Sequence, residues 1–291
     1  MSKQRRSIPS LYDLSKKSVK TWIAKSLQSP SEGISRARKL LRKATFPLIR
    51  EQLLQEFLPF ENHWQFGCLQ TRKRTRCRLH QECILQYSYA PKILKFLFGA
   101  DLQTFKMDLK KIAAQHLEET FRTLTKAIKM SDYTRLREVF LPGGSAMMDE
   151  YLQQSEDLCY YLKNRAPNLN KLHLPIGSNQ CFQNLSMVTD LHYLVVDRTR
   201  HFNLKGLSAL CRETAFSRFS LKVLHIGVFK HNLFKKSDVS QFLGRMPNLI
   251  SFSLMDEDRG LLSNDNPNAP LGAKVMTYSA LKLAITNHSF R

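Results

Sequence analysis

Two groups of residues in this 291-residue chain have types that could do chemistry. The first is His63, Cys68, Cys77, His80 and Cys83. Thiolate sulfur and imidazole nitrogen are zinc ligands, and four must converge on one tetrahedral point. Cys77, His80 and Cys83 recur every third residue, which lines one helix face. Three ligands on one helix converge poorly, and no paired C-x-x-C knuckle accompanies them. They read as core or bystander residues. Were zinc bound, His63 or Cys68 would supply the fourth ligand, but neither a metal site nor a cofactor is expected. The second group is His173 and His225, each set between two aliphatic residues in the same short pattern. A histidine-pair enzyme needs its two imidazoles to meet, and these two segments are not consecutive. A recognition surface is the reading adopted. No P-loop, G-x-G-x-x-G, G-x-S-x-G or H-E-x-x-H occurs, and glycine is scarce at 11 residues, so no enzyme is expected.

The elements that position the histidines come from a recurring L-x-x-L-x-L pattern. It reads "LNKLHL" (Leu169, Leu172, Leu174), "LHYLVV" (Leu191, Leu194, Val196), "LKVLHI" (Leu221, Leu224, Ile226) and "LISFSL" (Leu249, Phe252, Leu254). A looser copy, "LREVFL" (Leu136, Val139, Leu141), precedes them, and "YSALKL" (Tyr278, Leu281, Leu283) follows. Each L-x-L predicts a short strand with alternate residues buried. The intervals, 22 to 33 residues, leave room for one helix each. Candidates are 149–165, 203–216 and 237–246, the last opened by Ser237 and Asp238. Repeated strand–loop–helix units stack into a solenoid with a parallel sheet. The expected fold is therefore α/β: an irregular leucine-rich-repeat solenoid, a right-handed superhelix over 131–291, preceded by a short helical region. Regular repeats place Asn or Cys three positions after the last strand hydrophobe; here those positions are Gly177, Thr199, Phe229 and Glu257. In this frame Phe140, His173, Val195, His225 and Ser253 are equivalent, and they should form one row facing solvent on the inner surface.

The front of the chain differs. Net charge is +21, and residues 1–130 hold 26 Lys and Arg against 10 Asp and Glu, while 131–291 hold 19 against 14. The densest cluster is Arg72, Lys73, Arg74, Arg76 and Arg78, a patch for acidic partners or nucleic acid, with "RKR" serving as a nuclear signal. Helices are expected over 10–28, 32–44, 47–58 and 104–129, and "PKILKFLF" at 91–98 reads as an early strand. The organisation expected is a helical region over 1–60, then 61–130 as a basic connecting region or irregular first repeats. Six cysteines (68, 77, 83, 159, 181, 211) are too sparse for a disulfide scaffold. No apolar stretch is long enough to span a membrane, and no secretory signal is read at the N-terminus. The thiols are expected reduced, and the chain cytoplasmic or nuclear.

"IPSLYDLSKKSVKTW" at 8–22 predicts a capped amphipathic helix, with Ser10 and Asp13 as a capping pair. Leu11, Ser15, Val19 and Trp22 share one face, opposite Lys16, Lys17 and Lys20. Such a face packs on the chain's own core or on another protein. Ser10, Leu11, Ser15 and Val19 resemble the BC-box, the Elongin C-binding helix of VHL-box and SOCS-box receptors, with Ser15 where Cys is commoner. Phe46, Pro47, Ile49 and Leu53 of "FPLIREQLL" resemble the accompanying cullin-binding element, in its VHL-type form. An N-terminal box of this kind with C-terminal irregular repeats is similar to the ZYG family of Elongin–cullin substrate receptors. F-box receptors, which bind Skp, are near neighbours. The resemblance implies a non-enzymatic substrate-recognition subunit of a cullin-RING ubiquitin ligase. It would bind Elongin B–Elongin C through Ser10, Leu11, Ser15, Val19 and Trp22, and a cullin through Phe46, Pro47, Ile49 and Leu53. A target protein would lie on the row from Phe140 to Ser253. A reading of another class is a basic repeat scaffold for RNA or acidic partners; a membrane-inserted protein is not expected.

Overall fold

The computed structural model describes residues 18–19, 21–23, 39, 47–58, 90–112, 114–143, 151–211, 220–228, 236–246 and 248–256. After described helical residues at 18–19, 21–23 and 39 come α1 (Pro47–Phe57) and α2 (Ala90–Leu97). Six parallel strands then pair in chain order: β1 (Thr104–Lys106), β2 (Glu138–Phe140), β3 (Lys171–Leu174), β4 (Tyr193–Thr199), β5 (Val223–Val228) and β6 (Ser251–Asp256). Every crossover carries a helix: α3 (Ala114–Lys129), α4 (Leu152–Arg165), α5 (Asn179–Leu185), α6 (Leu204–Leu210) and α7 (Lys236–Gly244). The chain is thus α/β, with a parallel sheet and a layer of helices.

Alternation along the strands decides which face the helices cover. Leu172 and Leu174 are wholly buried while Lys171 and His173, which alternate with them, are half-exposed. Phe105, Val139, Leu194 and Leu224 repeat the buried position, with 0 % exposure each. Together with helix residues such as Phe121, Leu158 and Leu207 they form one hydrophobic cluster reaching from Ile23 to Phe252. Successive helices pack on one another along this layer.

The backbone repeats as well as the side chains. Before five of the strands the same turn recurs. The amides of Leu102, Leu136, Leu169, Leu191 and Leu249 donate to the carbonyls of Gly99, Tyr133, Ala166, Val188 and Met246. Then the carbonyls of Gln103, Arg137, Asn170, His192 and Lys222 each accept two successive amides from the next strand. This ladder satisfies the strand entries without side chains. Helix starts are capped locally: the Ser178 hydroxyl accepts from the Gln180 amide, and the Asn203 carboxamide from the Lys205 amide. Gly206 marks the close approach of α5 and α6, because a Cβ there would run into the Asn179 side chain at the start of α5 and the Phe202 ring before α6.

Four expectations are corrected. Residues 91–98 are helical over most of their length, as α2. Ala90, Ile93, Leu94 and Leu97 are buried at helical spacing, Lys92 and Lys95 point outward, and Pro91 sits in the first turn, where it is tolerated. The first strand lies instead at 104–106, inside a segment expected to be helical; the helix begins only at Ala114. Leu102, Phe105 and Met107 are its buried frame, so the sheet opens before residue 131. Finally, α5 occupies the short 22-residue interval, where no helix was assigned. The helices at 149–165, 203–216 and 237–246 are present in shortened form. "YSALKL" lies outside the described residues.

Candidate recognition surface

The five equivalent residues stand in register. Phe140 is paired with His173, His173 with Val195, Val195 with His225, and His225 with Ser253. Lys106 extends the row on β1. All sit on the sheet face opposite the helical layer, one residue out of phase with the buried leucines. A second row lies two residues earlier on the same face: Thr104, Glu138, Lys171, Tyr193, Val223 and Ser251.

Exposure along the first row is uneven. Phe140, His173 and His225 are half-buried, but Val195 and Ser253 retain only 8 % and 7 %. The expectation that all five face solvent is therefore corrected. Strands lie about 4.8 Å apart, so a short side chain beside a longer one is shielded by it. Val195, between two imidazoles, forms the floor of the surface.

Aromatic and polar side chains alternate across this face. The Phe140 and Tyr193 rings approach to 6.2 Å between centroids, and Lys106 Nζ lies 5.2 Å from the centre of the Phe140 ring. Lys171 and Glu138 form an ion pair at 2.8 Å. His173 Nε2 lies 2.7 Å from Asp197 Oδ1, and the other oxygen of Asp197 accepts from the Gly143 amide at 2.7 Å. Asp197 thereby ties β4 to β3 and to the segment after β2. His225 Nε2 lies 2.9 Å from Ser251 Oγ. Burial pushes the His225 imidazole below its ordinary value, so it is neutral at pH 7. His173 and His225 each have their own polar partner, on opposite sides of Val195, and form no shared catalytic pair. Partly exposed aromatic rings among internally paired polar groups make an arrangement suited to binding.

Sequence reasoning missed Tyr193, Asp197, Lys106, Glu138, Lys171 and Ser251. The signal was present: all but Lys106 stand two residues from a member of the row, and period two puts them on its face. Lys106 was missed because its segment was assigned to a helix.

The N-terminal candidates divide differently. Val19 and Ile23 are helical; Val19 packs half-buried against the chain's own core and Ile23 is wholly buried in it. Trp22 remains 37 % exposed. Ser10, Leu11 and Ser15 lie outside the described residues. In the second element, Pro47 opens α1, and Phe46 lies outside the described residues. Leu53 is wholly buried and Ile49 half-buried against the same core, so these two do not offer the free surface expected of a cullin contact. Their spacing is the inner face of a capping helix. The neighbouring polar residues act in the same sense. Glu51 accepts from the Gln103 amide at 3.1 Å, a donor that no preceding strand takes among the described residues, and Arg50 pairs with Asp101 in the turn before β1. Thus α1 closes the first edge of the sheet.

Arg72, Lys73, Arg74, Arg76 and Arg78 lie outside the described residues, as do His63, Cys68, Cys77, His80 and Cys83. Among the described residues, no group of three His, Cys, Asp or Glu is placed to hold a metal ion. Nor is any helix among them long and apolar enough to cross a membrane. No protein-family model, curated protein or solved structure matches the chain.

Proposed function

We propose that the chain is a leucine-rich-repeat solenoid serving as the non-enzymatic target-recognition subunit of an Elongin–cullin–RING ubiquitin ligase. The observation that carries this reading is the five-strand register from Phe140 to Ser253, with the neighbouring Phe140 and Tyr193 rings on that face. Such a surface binds through its aromatic side chains, which become buried against the partner, and the polar groups among them fix orientation. The chain's part in ubiquitin transfer is then positioning: holding the target close to the charged conjugating enzyme raises its effective concentration. On the N-terminal side, exposed Trp22 supports adaptor docking. Leu11 and Ser15 precede it by eleven and seven residues, the spacing of one helix face.

A second reading follows from Glu51, Arg50 and Leu53. They give α1 a complete structural role as a cap, which a plain binding scaffold would need equally. One experiment separates the two. The chain is purified from cells as wild type and as Phe140→Ala/Tyr193→Ala. Elongin B–Elongin C should accompany both, while a discrete ubiquitylated protein accompanies the wild type and is lost from the variant. Absence of Elongin from both preparations, with a bound protein still lost from the variant, would leave the scaffold reading. Bound proteins unchanged by loss of both rings would remove the sheet face from either.

A further inference from the structure

The helical layer carries a cluster of rings and cations that the sheet face does not use. Helices α3 and α4 are neighbours, and their last turns meet at one edge. There the Tyr133 amide, after α3, donates to the Arg165 carbonyl at the end of α4 at 2.6 Å. The Asn168 carboxamide donates to the Thr134 carbonyl, so the turn after α3 is stitched to the same edge. The Tyr160 and Tyr161 rings meet edge to face with centroids 5.4 Å apart. Lys163 Nζ lies 5.9 Å from the centre of the Tyr160 ring, and Lys129 Nζ lies 5.5 Å from that of Tyr161. Tyr161 packs against the core, whereas Tyr160 is 50 % exposed. Lys126, Lys129, Arg135 and Arg137 are exposed around them. Among the described residues no carboxylate pairs with these four or with Lys163. Asp132 at this edge is already taken by Arg165 at 2.6 Å, and Asp157, one turn before the rings, accepts from Gln153. The helix dipole favours cations in these last turns. It does not account for an exposed ring among them, nor for Arg135 and Arg137 beyond the helices.

We infer that this edge binds single-stranded nucleic acid, with an unpaired base against Tyr160 and the neighbouring phosphates on Lys163, Lys129 and Lys126. Rings interleaved with cations match a polymer that alternates flat bases with phosphates. In a duplex the base faces are stacked on one another, so a ring on a protein surface reaches them only in a single strand. Lys163 stands close enough to Tyr160 for one nucleotide to give its phosphate to the ammonium and its base to the ring. The chain's net charge of +21 draws in any polyanion. An acidic protein is the poorer match. It would meet the lysines through exposed ion pairs, each worth little, and would leave Tyr160 without a flat partner. The site lies in the helical layer and not on the row from Phe140 to Ser253, so it goes beyond target recognition and does not depend on it.

The test titrates the folded full-length chain into a fluorescein-labelled single-stranded RNA of about 12 nucleotides and reads anisotropy at several salt concentrations. The wild type should bind, and affinity should fall steeply as salt rises. Tyr160→Ala should weaken binding about tenfold, while Tyr160→Phe, which keeps the ring, should bind as the wild type does. Lys129→Ala/Lys163→Ala should reduce the slope of log affinity against log salt by about 1.4. All of these variants should melt like the wild type, because each change is at a partly exposed side chain. Every variant retains Arg72, Lys73, Arg74, Arg76 and Arg78. Binding through that cluster alone would leave affinity and salt slope the same in all of them, and that result would overturn the inference. So would a wild type that fails to bind in about 50 mM salt, or a duplex bound as tightly as the single strand. Displacement of the RNA by polyglutamate at equal charge would also overturn it, assigning the edge to an acidic protein.

Discussion

Asp197 on β4 holds His173 on β3 at 2.7 Å, across the face of the sheet that the helices leave open. The same carboxylate takes the Gly143 amide, so one side chain fixes an imidazole and a loop at once. Asp197→Ala would leave both groups without this partner. It should cost about 1–3 kcal/mol of stability by urea denaturation. Asp197→Asn keeps an acceptor and should cost less.

Gly227 on β5 lies against the backbone of Asp197 on β4. A Cβ there would fall 1.9 Å from the Asp197 carbonyl oxygen, and backbone cannot rotate away as a side chain can. Gly227→Ala should therefore destabilise the fold by about 1–3 kcal/mol, read as a lower urea midpoint. Because the push is on Asp197, the variant should also weaken binding at the sheet face.

Leu53 and Trp22 should part company. Leu53 is wholly buried in the core, so Leu53→Ala should cost about 2–5 kcal/mol in a melting experiment. Trp22 is 37 % exposed, and Trp22→Ala should stay within about 0.5 kcal/mol of wild type. A large loss of stability on removing Trp22 would mean that it is core and not docking surface.

Stability should fall in mild acid partly through His225. Burial keeps this imidazole neutral in the fold, with its pKa below the ordinary value. The unfolded chain takes up a proton as the pH drops through about 6.5. The stability this residue contributes is therefore complete above that pH and is lost as the pH falls toward the lowered value. Urea midpoints at several pH values should show a shallower acid decline for His225→Gln than for wild type.

The strand frame was legible because the L-x-x-L-x-L spacing and the backbone ladder express one geometry: Leu172, Leu194 and Leu224 are buried for the reason they recur. The first copy escaped because Phe105 and Met107 stand where leucine was sought, and the apolar run at 91–98 drew the strand reading to itself. Lysines three apart at 92 and 95 point instead to a helix. The row from Phe140 to Ser253 could be read from period two, but its partners could not. Nothing local to Asp197 tells that it reaches His173, 24 residues away in sequence, or Gly143, 54 away. For 46–54, the motif described an apolar helix face correctly but could not say whose core it meets; Leu53 meets the chain's own.

The most direct measurement is binding of the purified full-length chain to purified Elongin B–Elongin C by calorimetry. The wild type should bind, and Leu11→Asp and Trp22→Asp should each weaken binding by roughly 100-fold with unchanged melting temperatures. A folded wild-type chain that does not bind, or a Leu11→Asp chain that binds as well as wild type, would contradict the ligase-receptor account.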